Sequence, residues 1–307
     1  MEKIPVGQTI ARAYTFAFRD FFKVLSIMWL PFVALSLFTL SLQGQFTALT
    51  GAMQVKNTQA LGPTAWIVIF PAFVIIMLLL FMQIVGISQQ ALGLRKGSPY
   101  YYFWVGQPLW KLIGSYLLVL LLMIAVAIVL VMGGALLGAI TAGVNAVSGG
   151  GKPTGGIGAL LSILTVIGAL IAYCAFIYIF LRMTFLLTPT VVAEGKLGLG
   201  RAWALGKGNF WRMFTIFLSV VIPIVVIEIV TLFGIVWRGM PPLATQGATP
   251  EQIAAWHAAN MERLTSEWYI TFPLFFVVSV VFYGVAVGAQ SFAYRALVPA
   301  EKAEDVF

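Results

Sequence analysis

One acid stands inside a stretch that otherwise holds nothing to ionise: Glu228, in Pro223-Ile224-Val225-Val226-Ile227-Glu228-Ile229-Val230. A charged carboxylate at hydrocarbon depth costs about 3 kcal/mol on insertion scales, so this side chain must be protonated, paired or facing water. At about 1.5 Å per residue from Arg212, Glu228 falls in the outer half of a crossing helix. That depth is far from Arg182 and nearer to Thr165 and Tyr173 on the preceding apolar run. A protonated Glu228 hydrogen-bonded to such a neighbour is the simpler expectation, because one acid without a second acid or a matched cation makes a thin proton relay. Proton or cation coupling in a transport pathway is the alternative.

A second polar set closes three apolar runs: Gln89 and Gln90, Tyr178 and Arg182, then Gln290, Ser291 and Arg295. If Gln90, Arg182, Gln290 and Arg295 converge, they form a vestibule able to hold a lipid phosphate or a partner's carboxylate. Taken singly, each is a residue snorkelling to water at a helix end.

Other chemistries fail on inventory. Hydrolytic and metal sites need several converging imidazoles, carboxylates or thiolates. This chain has one histidine, His257, one cysteine, Cys174, and scattered acids. No catalytic, cofactor or metal site is expected. His257 follows Thr249-Pro250-Glu251-Gln252, a capping-box start to an outer surface helix. Gly149-Gly150-Gly151-Lys152-Pro153-Thr154 is not a phosphate loop, since Pro153 interrupts the required Gly-Lys-Ser/Thr ending and no strand precedes it.

The elements that must position these residues are transmembrane helices. Of 307 residues 61% are hydrophobic and only 9% charged, too little charge to cover a soluble surface. Six runs are long enough to cross a bilayer as helices: Phe21 to Leu42, Trp66 to Leu92, Trp110 to Leu137, Ile157 to Leu187, Trp211 to Trp237 and Tyr269 to Leu297. Pro31, Pro71, Pro223 and Pro273 fall in or near them, where neighbouring helices can satisfy the carbonyls that proline frees.

Cations gather on alternate loops, with Lys3, Arg12, Arg19 and Lys23 before the first run, Arg95, Lys96 and Lys111 between the second and third, and Lys196, Arg201, Lys207 and Arg212 between the fourth and fifth. The positive-inside rule then puts both termini in the cytoplasm. Spread among short loops, the net charge of +8 suits the anionic headgroups of the inner leaflet and argues against nucleic acid.

Asp20-Phe21-Phe22-Lys23-Val24-Leu25 recurs as Pro108-Leu109-Trp110-Lys111-Leu112-Ile113 and as Asn209-Phe210-Trp211-Arg212-Met213-Phe214, each time opening an apolar run. Gln90, Arg95 and Pro99 fall in register with Gln290, Arg295 and Pro299. The chain therefore reads as one all-α membrane domain of three helix hairpins, about 1–97, 98–195 and 196–307, with short amphipathic interfacial helices. In the first of these, Ile10, Tyr14, Ala17 and Phe21 share the apolar face expected to rest on the inner leaflet. Gly134 and Gly138, like Gly284 and Gly288, are spaced for close helix approach, within the chain or to a second copy or partner.

The segment Arg182-Met183-Thr184-Phe185-Leu186-Leu187-Thr188-Pro189-Thr190-Val191-Val192-Ala193-Glu194-Gly195-Lys196, with Arg201-Ala202-Trp203-Ala204-Leu205 and Gly208-Asn209-Phe210-Trp211-Arg212-Met213-Phe214 after it, resembles the bacterial membrane domain associated with glycerophosphoryl diester phosphodiesterases. The resemblance implies a multi-span inner-membrane protein. It does not imply the phosphodiesterase activity, because the metal-binding acids and histidines of the soluble barrel to which such domains are fused have no counterpart here. A membrane scaffold, anchor or envelope-maintenance factor is the first functional expectation, and a lipid or small-molecule transporter the second.

Overall fold

The computed structural model describes residues 3–54, 63–95, 100–102, 105–147, 156–236 and 268–298, together with Gln252, Ala255, Ala259, Glu262 and Ser266. His257, the Gly149 to Thr154 turn and the Thr249 to Glu251 cap lie outside the described residues. Among those described, the ordered elements are α1 (Val6–Arg19), α2 (Phe21–Gln54), α3 (Pro63–Leu92), α4 (Gln107–Val147), α5 (Gly156–Thr184), α6 (Leu187–Glu194), α7 (Leu199–Leu205), α8 (Phe210–Val236) and α9 (Trp268–Leu297). None is a strand.

Six spans are long and apolar enough to cross a membrane: Phe21–Phe38, Phe70–Leu92, Gln107–Leu136, Ile163–Glu194, Phe210–Ile227 and Phe272–Leu297. Helix is the form such runs must take in lipid, since it satisfies every interior backbone group without a partner strand. Pro31, Pro71, Pro223 and Pro273 all lie inside helices. The consecutive spans α2 and α3, α4 and α5, and α8 and α9 pack against each other, and α9 also packs on α3.

Packing is concentrated at the end of the bundle where α2, α4 and α8 begin. The buried cluster draws on Val24 to Met28, Met82 to Leu92, Leu109 to Met123, Met213 to Ile224 and Val280 to Tyr294. The most apolar window is 33% buried in α3 and α9, but 11% in α4 and 0% in the α5–α6 span. Most of the length of α4 and α5 is therefore left uncovered by the described residues. Among the described residues, no neighbouring element lies within 4 Å of a Cβ added at Gly134 or Gly138.

The other glycine pair is filled from within the chain. A Cβ on Gly284 would lie 3.2 Å from the Ala17 Cβ, and one on Gly288 would lie 3.1 Å from Phe16 and 3.8 Å from the Ala13 Cα. Ala13 and Ala17 are spaced by four, as are Gly284 and Gly288, so two small-residue faces let α1 and α9 approach closely. This close fit sharpens the expected face of α1. Thr9, Ala13, Phe16 and Ala17 are buried, and Ile10, Tyr14 and Phe21 are half-buried against the same core, so the apolar side of α1 packs on helices of this chain. Hydrophobicity alone had ranked Ile10 and Phe21 above alanine; close backbone approach selects alanine.

Gly86 has the same role between α2 and α3. An added Cβ would stand 2.6 Å from the Ile27 Cγ2 and 2.9 Å from the Tyr102 ring.

Candidate functional site

The packed end is built around α6, a short helix separate from the fourth apolar run that the sequence predicts up to Leu187. Two turn residues, Phe185 and Leu186, separate it from α5, and Leu187 to Val192 are all buried. Pro189 reads as a helix breaker but is the third residue of α6, where an N–H would have no acceptor inside the helix in any case. Gly195 ends the helix at φ 61°, a left-handed value suited to glycine. The Gly195 carbonyl accepts a 2.6 Å hydrogen bond from the Lys111 Nζ on α4.

Around α6 the polar side chains are matched in small separate groups. Tyr116 on α4 and Thr188 on α6 share a hydrogen bond of 3.1 Å between hydroxyls. Tyr294 on α9 donates to the Glu194 Oε1 at 3.1 Å, and the same oxygen accepts from the Arg201 Nε on α7 at 3.1 Å. Ser88 and Ser291 meet at 3.3 Å where α3 faces α9. Tyr102 donates to Gln89 at 3.1 Å, and Arg95 donates to the Ser26 hydroxyl at 3.1 Å. Burial pushes the Tyr102 phenol up to about 12, an effect the nearby Arg95 charge opposes, and burial pulls the Arg95 guanidinium down. The Gln83 Nε2 and Ser115 Oγ are buried with no hydrogen-bond partner among the described residues.

The expected vestibule residues each have their own surroundings. Gln90 accepts from Arg95 at 3.4 Å. Arg182 lies 3.9 Å over the Trp203 ring and donates to the Tyr178 hydroxyl at 2.7 Å. Gln290 is half-buried and Arg295 exposed on α9. Among the described residues, no hydrogen bond or ion pair joins any two of Gln90, Arg182, Gln290 and Arg295.

Glu228 belongs to α8, but its side chain is outside the described set. The backbone register separates it from one expected neighbour. The Tyr178 and Phe210 rings meet at 4.7 Å, where α5 ends and α8 begins. With opposed helices rising about 1.5 Å per residue, Tyr173 stands level with Thr215, about 20 Å short of Glu228. Tyr173 is exposed; Thr165, half-buried, is eight residues farther along α5 towards the level of Glu228.

Sequence reasoning missed the Glu194, Tyr294 and Arg201 group and the Tyr116 and Thr188 pair. The available signal was Glu194 itself, an acid closing an apolar eight-residue stretch just before a cationic loop. Among the described residues, no three of His, Cys, Asp and Glu come together. A comparison with protein-family models finds no match, and comparisons with curated proteins and with solved structures find none either.

Proposed function

We propose that this polytopic membrane protein is a non-catalytic scaffold, anchor or envelope-maintenance factor of the bacterial inner membrane, with both termini cytoplasmic, related to the phosphodiesterase-associated membrane domains. The observation that carries this reading is the way polar groups at the packed end are used. Arg182 is spent on Trp203 and Tyr178, Arg201 on Glu194, and Arg212 on the Ile4 carbonyl at 2.8 Å. Together they fasten α5 to α7, α7 to α6, and α8 to the segment before α1, which is what a rigid platform needs and what a carrier's passage does not. The orientation rests on cations at the start or end of spans at that same end.

Purification in native lipid nanodiscs with mass spectrometry of what copurifies tests the reading. A stoichiometric protein partner supports the scaffold, and a stoichiometric solute without one overturns it in favour of transport. Glu228→Gln adds a second test: unchanged abundance and phenotype are expected, whereas complete loss of function at normal membrane abundance would make Glu228 a coupling acid.

A further inference from the structure

Of the arginines among the described residues, Arg95, Arg182, Arg201 and Arg212 have structural partners, whereas Arg12, Arg19 and Arg295 are exposed without a hydrogen bond or ion pair among those residues, and Arg12 and Arg19 stand together on α1. In the internal alignment Arg12 corresponds to Arg201 and Lys23 to Arg212, so the first unit leaves unspent a cation that the last unit uses to hold itself together. Arg12, Thr15, Phe16 and Arg19 recur at helical spacing on one face of α1. With Asp20, Lys23 and Phe292 they line an open groove of about 470 Å³, large enough for a phosphodiester with its glycerol units. Three cations face one carboxylate there, and the Asp20 Oδ1 is already held by the Lys23 Nζ at 2.7 Å. The floor is aromatic and fixed, since Phe16 and Phe292 pack edge to face at 5.8 Å. Beside it in the chain, Phe18 and Phe22 are 63% and 79% exposed, the mixture of bare rings and cations found where headgroups meet hydrocarbon.

We propose that this groove binds the headgroup phosphate of an anionic phospholipid, with Arg12 and Arg19 as the phosphate ligands, Thr15 as a hydroxyl donor between them, and Phe18 and Phe22 against the acyl chains. Guanidinium groups suit this because their forked N–H donors match phosphate oxygens two at a time. The assignment to the inner leaflet rests on the cytoplasmic-termini reading above; the chemistry of the groove does not.

The test is native mass spectrometry of the full chain in a neutral detergent, titrated in parallel with short-chain phosphatidylglycerol, short-chain phosphatidylcholine and glycerol phosphate. Phosphatidylglycerol should bind tightest, and Arg12→Gln with Arg19→Gln should weaken it by more than about tenfold, each cation near an anionic lipid being worth about fivefold. Arg12→Lys with Arg19→Lys should retain most of the binding, and Lys196→Gln with Lys207→Gln, which removes two exposed cations outside the groove, should change it little. Equal loss in that last variant, or none in the double glutamine variant with an unchanged melting temperature, would overturn the site. Glycerol phosphate binding as tightly as the lipid would overturn the lipid assignment. Orientation is read separately, by labelling Lys3→Cys in a Cys174→Ser background from outside intact spheroplasts, where access would refute the inner-leaflet placement whatever the detergent result.

Discussion

The Tyr14 hydroxyl donates a 2.9 Å hydrogen bond to the Ser219 carbonyl, the acceptor that Pro223 leaves unbonded one turn later in α8. Proline has no N–H to return to that oxygen, so α1 supplies a donor that the spanning helix cannot. Tyr14→Phe should therefore cost about 0.5–1.5 kcal/mol, the net range for a hydrogen bond, here to a part-buried acceptor. In a Pro223→Ala background the helix regains its own donor, and the same substitution should cost distinctly less. A double-mutant cycle of melting temperatures in detergent measures the coupling; strictly additive effects would contradict the relationship.

The two glycine pairs should respond oppositely. Gly284→Val forces side-chain atoms onto Ala17, and Gly86→Ala places a methyl 2.6 Å from Ile27, so each should destabilise by about 1–3 kcal/mol through overpacking. Gly134→Ala meets open space and should be neutral or gain up to about 1 kcal/mol in helix propensity. Thermal unfolding of the three variants in one detergent gives the ranking.

Glu194 joins three elements through one oxygen, and its two partners should be worth different amounts. Tyr294→Phe removes a donor from a buried tyrosine and should cost about 1.5–3 kcal/mol, the range for a bond to a charged group. Arg201→Gln breaks an ion pair whose arginine side chain is 50% exposed and should cost about 1 kcal/mol or less. Protease protection of the α6–α7 connection should fall more in the first variant than in the second.

Alkaline stability should report on Tyr102. Its phenol holds its proton to about 12 in the folded chain, against 10.0 for an ordinary tyrosine. The folded state therefore binds the proton more tightly, and the stability this confers is complete below pH 10 and declines as pH rises from 10 towards 12. Melting temperatures between pH 9 and pH 11.5 should fall less steeply in Tyr102→Phe than in the parent chain.

The fold class was largely legible because lipid imposes a length and a composition on every crossing, and six apolar runs satisfy both. Local patterning was less informative where geometry outweighed hydrophobicity. Ala13 and Ala17 define the seat of α1 because they are small, a property that an apolar stripe containing Ile10 and Phe21 obscures. Pro189 concealed α6 because proline is tolerated in a first turn and disruptive later, and the sequence does not announce which turn it occupies. The Glu194 and Tyr294 pair is not legible in the sequence, since the two lie 100 residues apart and only tertiary packing brings them together. Arg182 lies near the end of α5, but nothing in the sequence names Trp203, on the separate helix α7, as its ring partner.

The seat of α1 sets an order of events during translation. Ile4 bonds to Asn209 and Tyr14 to Ser219, partners 205 residues later in the chain, and the glycines that receive Ala13 and Ala17 come later still, on α9. Helix α1 therefore cannot complete its seat until α8 and then α9 have been synthesised. Until then the small-residue side that Ala13 and Ala17 present is available to the bilayer or to a chaperone.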